Sequence, residues 1–214
     1  MKSETFKEKL LTKLKAEFEP EIVPIKLEKH SKEKNCFFNV QKKLTIDGGK
    51  IHYGWILHEN ELFYEAERHA VWENSVGNLI DITPSQKLNN NKITFLSDNN
   101  FEYKGQYVGN VRVNSTNNKI VDDYIYILEK IDFIKALFIK KNEDDINYPI
   151  DIKIAIEKLV NQSNIYYTFI KTHKGTERTK CLCGKSDKNY KNCHGKIMKN
   201  DISKFIKKTI KAYC

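Results

Sequence analysis

Three side chains in the first half of the chain have the types that nucleophilic acyl chemistry requires: Cys36, His69 and Asp81. A thiolate attacks, an imidazole moves the proton, and a carboxylate on the other ring nitrogen fixes the tautomer and supports the imidazolium. Cys36 is the only cysteine before position 181 and follows a charged run, at the predicted start of a short helix. Unpaired backbone N–H groups and the helix dipole favour a thiolate at that position. His69 lies in Tyr64–Val71, whose alternation has the period of a strand, and Asp81 lies in the β-branched run Leu79–Thr83. Between them Glu73–Asn78 carries a Gly and two Asn, which predicts a hairpin. A turn centred on Ser75 sets residues 69 and 81 directly opposite, about 5 Å apart at Cβ. The plain alternatives are a core-filling Cys with a satisfied polar His, or a catalytic metal held by the same three residues.

A second constellation lies near the C-terminus. Cys181-x-Cys183 and Cys193-His194 flank a nine-residue loop, and three thiolates with one imidazole make a closed tetrahedral zinc site. A short polar segment with no core of its own needs such a staple. Gly184 and Gly195 permit tight turns beside the ligands. With four protein ligands, no coordination position is left for substrate, so the expected zinc is structural.

Both constellations resemble known families. Cys36-x-x-Asn39, Gly48-Gly49, Tyr53-Gly54-Trp55, Glu65-Ala66-Glu67-x-His69-Ala70-Val71-Trp72 and Leu79-Ile80-Asp81-Ile82-Thr83-Pro84 resemble small bacterial and phage proteins of the papain-like and transglutaminase-like kind. That resemblance covers about fifty residues and implies a helix-borne Cys facing a His–Asp hairpin. It implies catalysis by Cys36, His69 and Asp81, with the Cys36 N–H and the side chain of Asn35 or Asn39 stabilising the oxyanion. Trp55 and Trp72 are then expected as walls of the site. The segment Cys181-Leu182-Cys183-Gly184 with Lys188-Asn189-Tyr190-Lys191-Asn192-Cys193-His194-Gly195 resembles the SEC-C zinc-binding motif, with one extra residue before the aromatic. That resemblance implies a docking element for a protein or ribosome-associated partner.

The elements that must position these residues are legible in outline. Phe6, Leu10, Leu11, Leu14 and Phe18 predict an amphipathic helix over residues 3–18, and Pro20 and Pro24 frame an extended link. The Cys36 helix should run to about Leu44 and close at Asp47-Gly48-Gly49, followed by a strand from Lys50 to Leu57. Asn-rich loops at Asn89–Asn91 and Asn114–Asn118 surround short strands near Ile93–Leu96 and Tyr107–Val113. Val121–Lys140 carries a clear 3-4-3 apolar rhythm, Asn142–Asp145 is a polar link, and Ile152–Ile170 is a second helix. A basic amphipathic helix over Lys199–Tyr213 ends the chain.

Composition limits the function classes. No run of eighteen apolar residues predicts a membrane span, no secretory leader is legible, and five cysteines do not suggest a disulfide framework. A reducing cytoplasm is the expected compartment. No phosphate-binding glycine loop indicates a nucleotide-driven engine. Net charge is +9, yet Lys171–Cys214 holds thirteen Lys and Arg against three acids, so the whole excess belongs to the tail. The expected organisation is an α+β papain-like or transglutaminase-like domain over residues 1–170, with a helical extension, and a basic zinc module over 171–214. Two functions follow. One is a cysteine hydrolase or acyltransferase acting on an amide, ester or thioester. The other is a non-catalytic adaptor whose tail contacts protein or, without sequence specificity, nucleic acid.

Overall fold

The computed structural model describes residues 5–85, 91–138, 146–185 and 187–213. The first half of the chain runs α1 (Phe6–Leu14), β1 (Glu21–Pro24), α2 (Cys36–Asp47), β2 (Lys50–Glu59), β3 (Phe63–Glu73) and β4 (Leu79–Ile80). The second half continues with β5 (Lys92–Ser97), β6 (Val111–Asn114), α3 (Lys119–Lys135), α4 (Ile150–Lys171), a 3-10 turn (Tyr190–Asn192) and α5 (His194–Ile210). Asn89, Asn90 and the predicted link Asn142–Asp145 lie outside the described residues, as do the last two residues expected for the third helix.

The sheet grows from one long hairpin. β2 and β3 pair antiparallel from Lys50 opposite Glu73 to Glu59 opposite Tyr64. β5 adds to the outer edge of β2, β1 adds to β5, and β4 and β6 take different stretches of the free edge of β3. A parallel bridge from Ile25 to Asp81 then links the two ends, so the antiparallel sheet is nearly closed. Its inner face packs Val23, Ile56, Val71, Ile93 and Phe95. On the outer face, α1 packs Leu10 on Trp55, Ala66 and Leu96, while α2 packs Val40 on Ala70, Ile80 and Ile82.

Local chemistry explains where the elements stop. Thr5 and Glu8 form a capping box at the start of α1, and Lys15 turns left-handed at its end, four residues short of the predicted stop. The β3–β4 turn is set by Asn74, whose side chain accepts from the N–H groups of Val76 and Asn78, with Gly77 at φ +85°. It therefore centres on Val76 rather than Ser75, and Trp72 pairs with Ile80 and Glu73 with Leu79. The register differs from the expected one by two residues. An even offset keeps every side chain on its face, so Asp81 still shares a face with His69.

The helical half has one apolar core. Ile120, Ile127, Ile134, Leu159, Tyr166 and Phe169 from α3 and α4 pack with Tyr190, Met198, Ile202 and Ile206 from the tail. The Tyr190 hydroxyl donates to Asp123 at 2.7 Å and lies 3.1 Å from the Tyr166 hydroxyl. The expected boundary at residue 170 falls within α4, and this core runs across it. The two halves are joined by a buried network in which Arg112 on β6 donates to Glu65 on β3 and to Asp132 on α3, each at 2.8 Å.

Gly54 is where the inner face of the sheet is most crowded. A Cβ there would sit 2.3 Å from the Leu96 carbonyl oxygen and 2.4 Å from the Phe95 ring. Gly54→Ala should lower the unfolding free energy by about 1–3 kcal/mol, as overpacking does. A urea midpoint equal to that of the wild type would show that Phe95 moves aside freely.

Candidate active site and metal centre

Asn39, buried inside α2, braces the start of that helix. Its Nδ2 donates to the Lys32 carbonyl at 2.8 Å and to Thr83 Oγ1 at 3.1 Å, and its Oδ1 accepts from the Lys32 N–H at 2.9 Å. Both donors are used, so Asn39 ties the start of α2 to the segment after Asp81. The resemblance suggested an oxyanion role for it, and these bonds leave it none. Asn35 is the N-cap residue of α2, but its side chain makes no capping bond to the helix. Cys36 is the first helical residue, 9% exposed.

Asp81 leaves the ladder as soon as β4 ends. Its N–H donates to the Pro24 carbonyl at 2.9 Å and its carbonyl accepts from the Lys26 N–H at 2.8 Å. The side chain thus turns inward beneath His69, where Oδ1 accepts from His69 Nε2 at 3.0 Å and from the Thr83 N–H at 3.0 Å. Cys36 lies beside the same imidazole, lining the same cleft and favouring the charged ring. Since Nε2 is held by Asp81, Nδ1 is the nitrogen left for the thiol. Asp81 is 1% and His69 5% exposed. Burial disfavours a charged imidazole here, yet the Cys36 sulfur and then the Asp81 carboxylate outweigh it, and the His69 pKa is pushed up to about 10.

These residues lie at the base of a cleft of about 600 Å³. Phe37, His58 and Glu67 line it from α2 and the sheet, and Tyr103, Tyr107 and Lys135 close it from the opposite side. Trp55 and Trp72 do not line it, contrary to expectation. Trp55 faces outward beneath α1, with Arg68 stacked 3.7 Å from its ring, and Trp72 donates to the Gly48 carbonyl at the far end of α2. Alternation along β2 and β3 fixes which residues share a face, but not which face opens to a cleft. Tyr103 carried no sequence signal, and the strand expected near Tyr107–Val113 begins only at Val111, which leaves Tyr107 in the loop that lines the cleft.

Another imidazole relay lies on the same sheet. His52 Nε2 is 2.9 Å from Ser97 Oγ, and Nδ1 is 3.3 Å from Glu73 Oε2. The order resembles a serine triad, but the N–H following Ser97, which a nucleophile turn would offer to an oxyanion, donates instead to the Tyr53 carbonyl at 3.0 Å. The relay therefore reads as sheet structure.

The tail brings Cys181, Cys183, Cys193 and His194 together, with all four ligand atoms within 4.8 Å of one another. Cys181 and Cys183 come from a turn ending at Gly184, φ +63°, and His194 opens α5. Cys183 and Cys193 sulfurs are 3.8 Å apart, and His194 Nδ1 lies 3.2 Å and 3.5 Å from the Cys181 and Cys193 sulfurs. A tetrahedron with metal–sulfur bonds near 2.3 Å has sulfur–sulfur edges of about 3.8 Å, so this group could hold a metal ion. It is the only such group among the described residues. Cys36, His69 and Asp81 do not form one, because the imidazole stands between thiol and carboxylate.

The raised His69 pKa makes stability depend on pH. Its contribution is complete below the ordinary value of 6.5 and is lost as pH rises toward about 10. Wild-type stability should therefore fall across that range more steeply than that of His69→Gln. Urea melts of metal-loaded protein at several pH values check this, and parallel slopes would refute the ion pair.

No helix among the described residues is long and apolar enough to cross a membrane. No family model, curated protein or solved structure matches this chain, so the reading of the site stands on its own geometry.

Proposed function

We propose that this chain is a cysteine-dependent hydrolase or acyltransferase acting on an amide, ester or thioester carbonyl. The observation that carries the reading is a buried imidazole with a carboxylate on Nε2 and the Cys36 thiol beside it, in one open cleft. Cys36 attacks the carbonyl carbon, and the leaving group departs with a proton from the His69 imidazolium. Water or another nucleophile then attacks the thioester and gives its proton to His69, and the Cys36 thiolate leaves. Asp81 holds the ring in the tautomer this exchange needs. The papain-like and transglutaminase-like resemblance points the same way, since it too sets a helix-borne Cys against a His–Asp sheet.

In this reading the tail holds one structural zinc through Cys181, Cys183, Cys193 and His194, as the SEC-C resemblance implies. A second reading, an adaptor working through the tail, is favoured by α5 and its C-cap, where Lys196, Lys199, Lys204, Lys207, Lys208 and the capping Lys211 are all exposed. Such a face suits an acidic protein surface or a nucleic-acid backbone.

Two measurements test the proposal. Iodoacetamide at neutral pH, mapped by peptide mass on zinc-loaded protein, should label Cys36 selectively, and His69→Ala should slow that labelling at least tenfold. An inert Cys36 in the folded protein would end the enzyme reading and leave the adaptor. Cys193→Ser should lose most of its zinc by atomic absorption and lower the thermal stability of the helical half, whose core includes Cys181 and Tyr190. A full equivalent of zinc in that variant would exclude the ligand set.

A further inference from the structure

Attack on a carbonyl by Cys36 creates an oxyanion that needs two donors aimed at it. One is available at the start of α2, where the Cys36 N–H has no acceptor within the helix and Asn35 supplies no side-chain cap. The second donor must come from the cleft, and most polar groups there are already committed. Gln106 Nε2 donates to the Glu102 carbonyl at 2.6 Å, and the Tyr107 hydroxyl to Asp132 at 2.7 Å. Asn110 Nδ2 donates to Glu65 and Arg68 to Asp98, each at 2.8 Å. Lys135 lies 5.7 Å over the Tyr107 ring, and Lys34 is exposed to water, so neither offers a fixed N–H.

Tyr103 differs. Its ring stacks on Phe37, the residue after the nucleophile, with centroids 3.9 Å apart and planes 8° from parallel. It meets Phe38 edge-on at 5.9 Å. The ring is thus fixed over the start of α2, and Tyr103 lines the same cleft as Cys36, with no hydrogen bond from its hydroxyl among the described residues. Burial, with a further contribution from Cys36, raises the Tyr103 pKa, so the hydroxyl keeps its proton at neutral pH.

We infer that the Tyr103 hydroxyl is the side-chain donor to the oxyanion formed on Cys36, completing a hole with the Cys36 N–H. The inference rests on the acyl-transfer reading of Cys36. It assigns the cleft a planar carbonyl substrate whose oxygen points toward the loop at 98–110.

The test separates two reactions of one thiol. Alkylation by iodoacetamide is a displacement at saturated carbon and forms no oxyanion. Acetylation by p-nitrophenyl acetate forms one, as the sulfur–carbon bond is made and p-nitrophenolate leaves. Tyr103→Phe keeps the stacked ring and removes only the hydroxyl. In zinc-loaded full-length protein it should leave the Cys36 alkylation rate within about twofold of wild type. Acetylation of Cys36 should slow by about 10²-fold, the usual effect of losing one oxyanion donor. Equal acetylation rates in variant and wild type would overturn the inference and leave the nucleophile intact. Equal slowing of both reactions would also overturn it, showing that Tyr103 only shapes the start of α2. Wild-type protein with no His69-dependent acetylation of Cys36 would bring down the acyl-transfer reading itself, and this inference with it.

Discussion

Asp81 is the residue on which the architecture turns. Its main chain bonds to Pro24 and Lys26 and so draws β1 against the end of β4, while its carboxylate holds the His69 imidazole. One residue closes the sheet and holds the imidazole. The position of the imidazole is therefore fixed by the same hydrogen bonds that close the fold, and loosening one should loosen the other. Removing a buried partner of this kind costs more than the pair itself contributes, because the remaining polar group stays out of water.

Around this point, the supports for Cys36 come from both sides. Asn39 ties α2 to Lys32 and Thr83, and the Phe37–Tyr103 stack ties it to the loop at 98–110. Tyr107, in the same loop, reaches Asp132 on α3, which also binds Arg112. The cleft therefore borrows rigidity from the helical half, and α3 also lines it with Lys135. Such support by hydrogen bonds behind the reacting groups is what holds catalytic side chains in a narrow range of positions.

How much of this was legible in the sequence depends on the range of the interaction. The helix starting at Cys36, the strand carrying His69 and the four clustered tail ligands are local patterns and could be read directly. The hairpin turn could be located but not centred, since Asn74 and Gly77 compete with Ser75 to define it. β1 was hidden because Pro20 and Pro24 read as an extended link, and its partner β5 lies about seventy residues further on. Nothing announced Tyr103 as a cleft residue, and Tyr107 read as the start of a strand that in fact begins at Val111. The apolar stripe of α5 was visible, but a stripe does not name what it packs against, and the core shared with α3 and α4 could not be foreseen.

The order in which the chain can fold follows from the same geometry. The β2–β3 hairpin is short-range and should form early, whereas β1 must wait for β5, and Asp81 finds Pro24 only when both ends of the sheet are present. The contact between imidazole and carboxylate is consequently among the last to assemble. A newly made chain would thus carry Cys36 at the start of α2 through most of its folding, and the His69 imidazole would be braced by Asp81 only at the closing step.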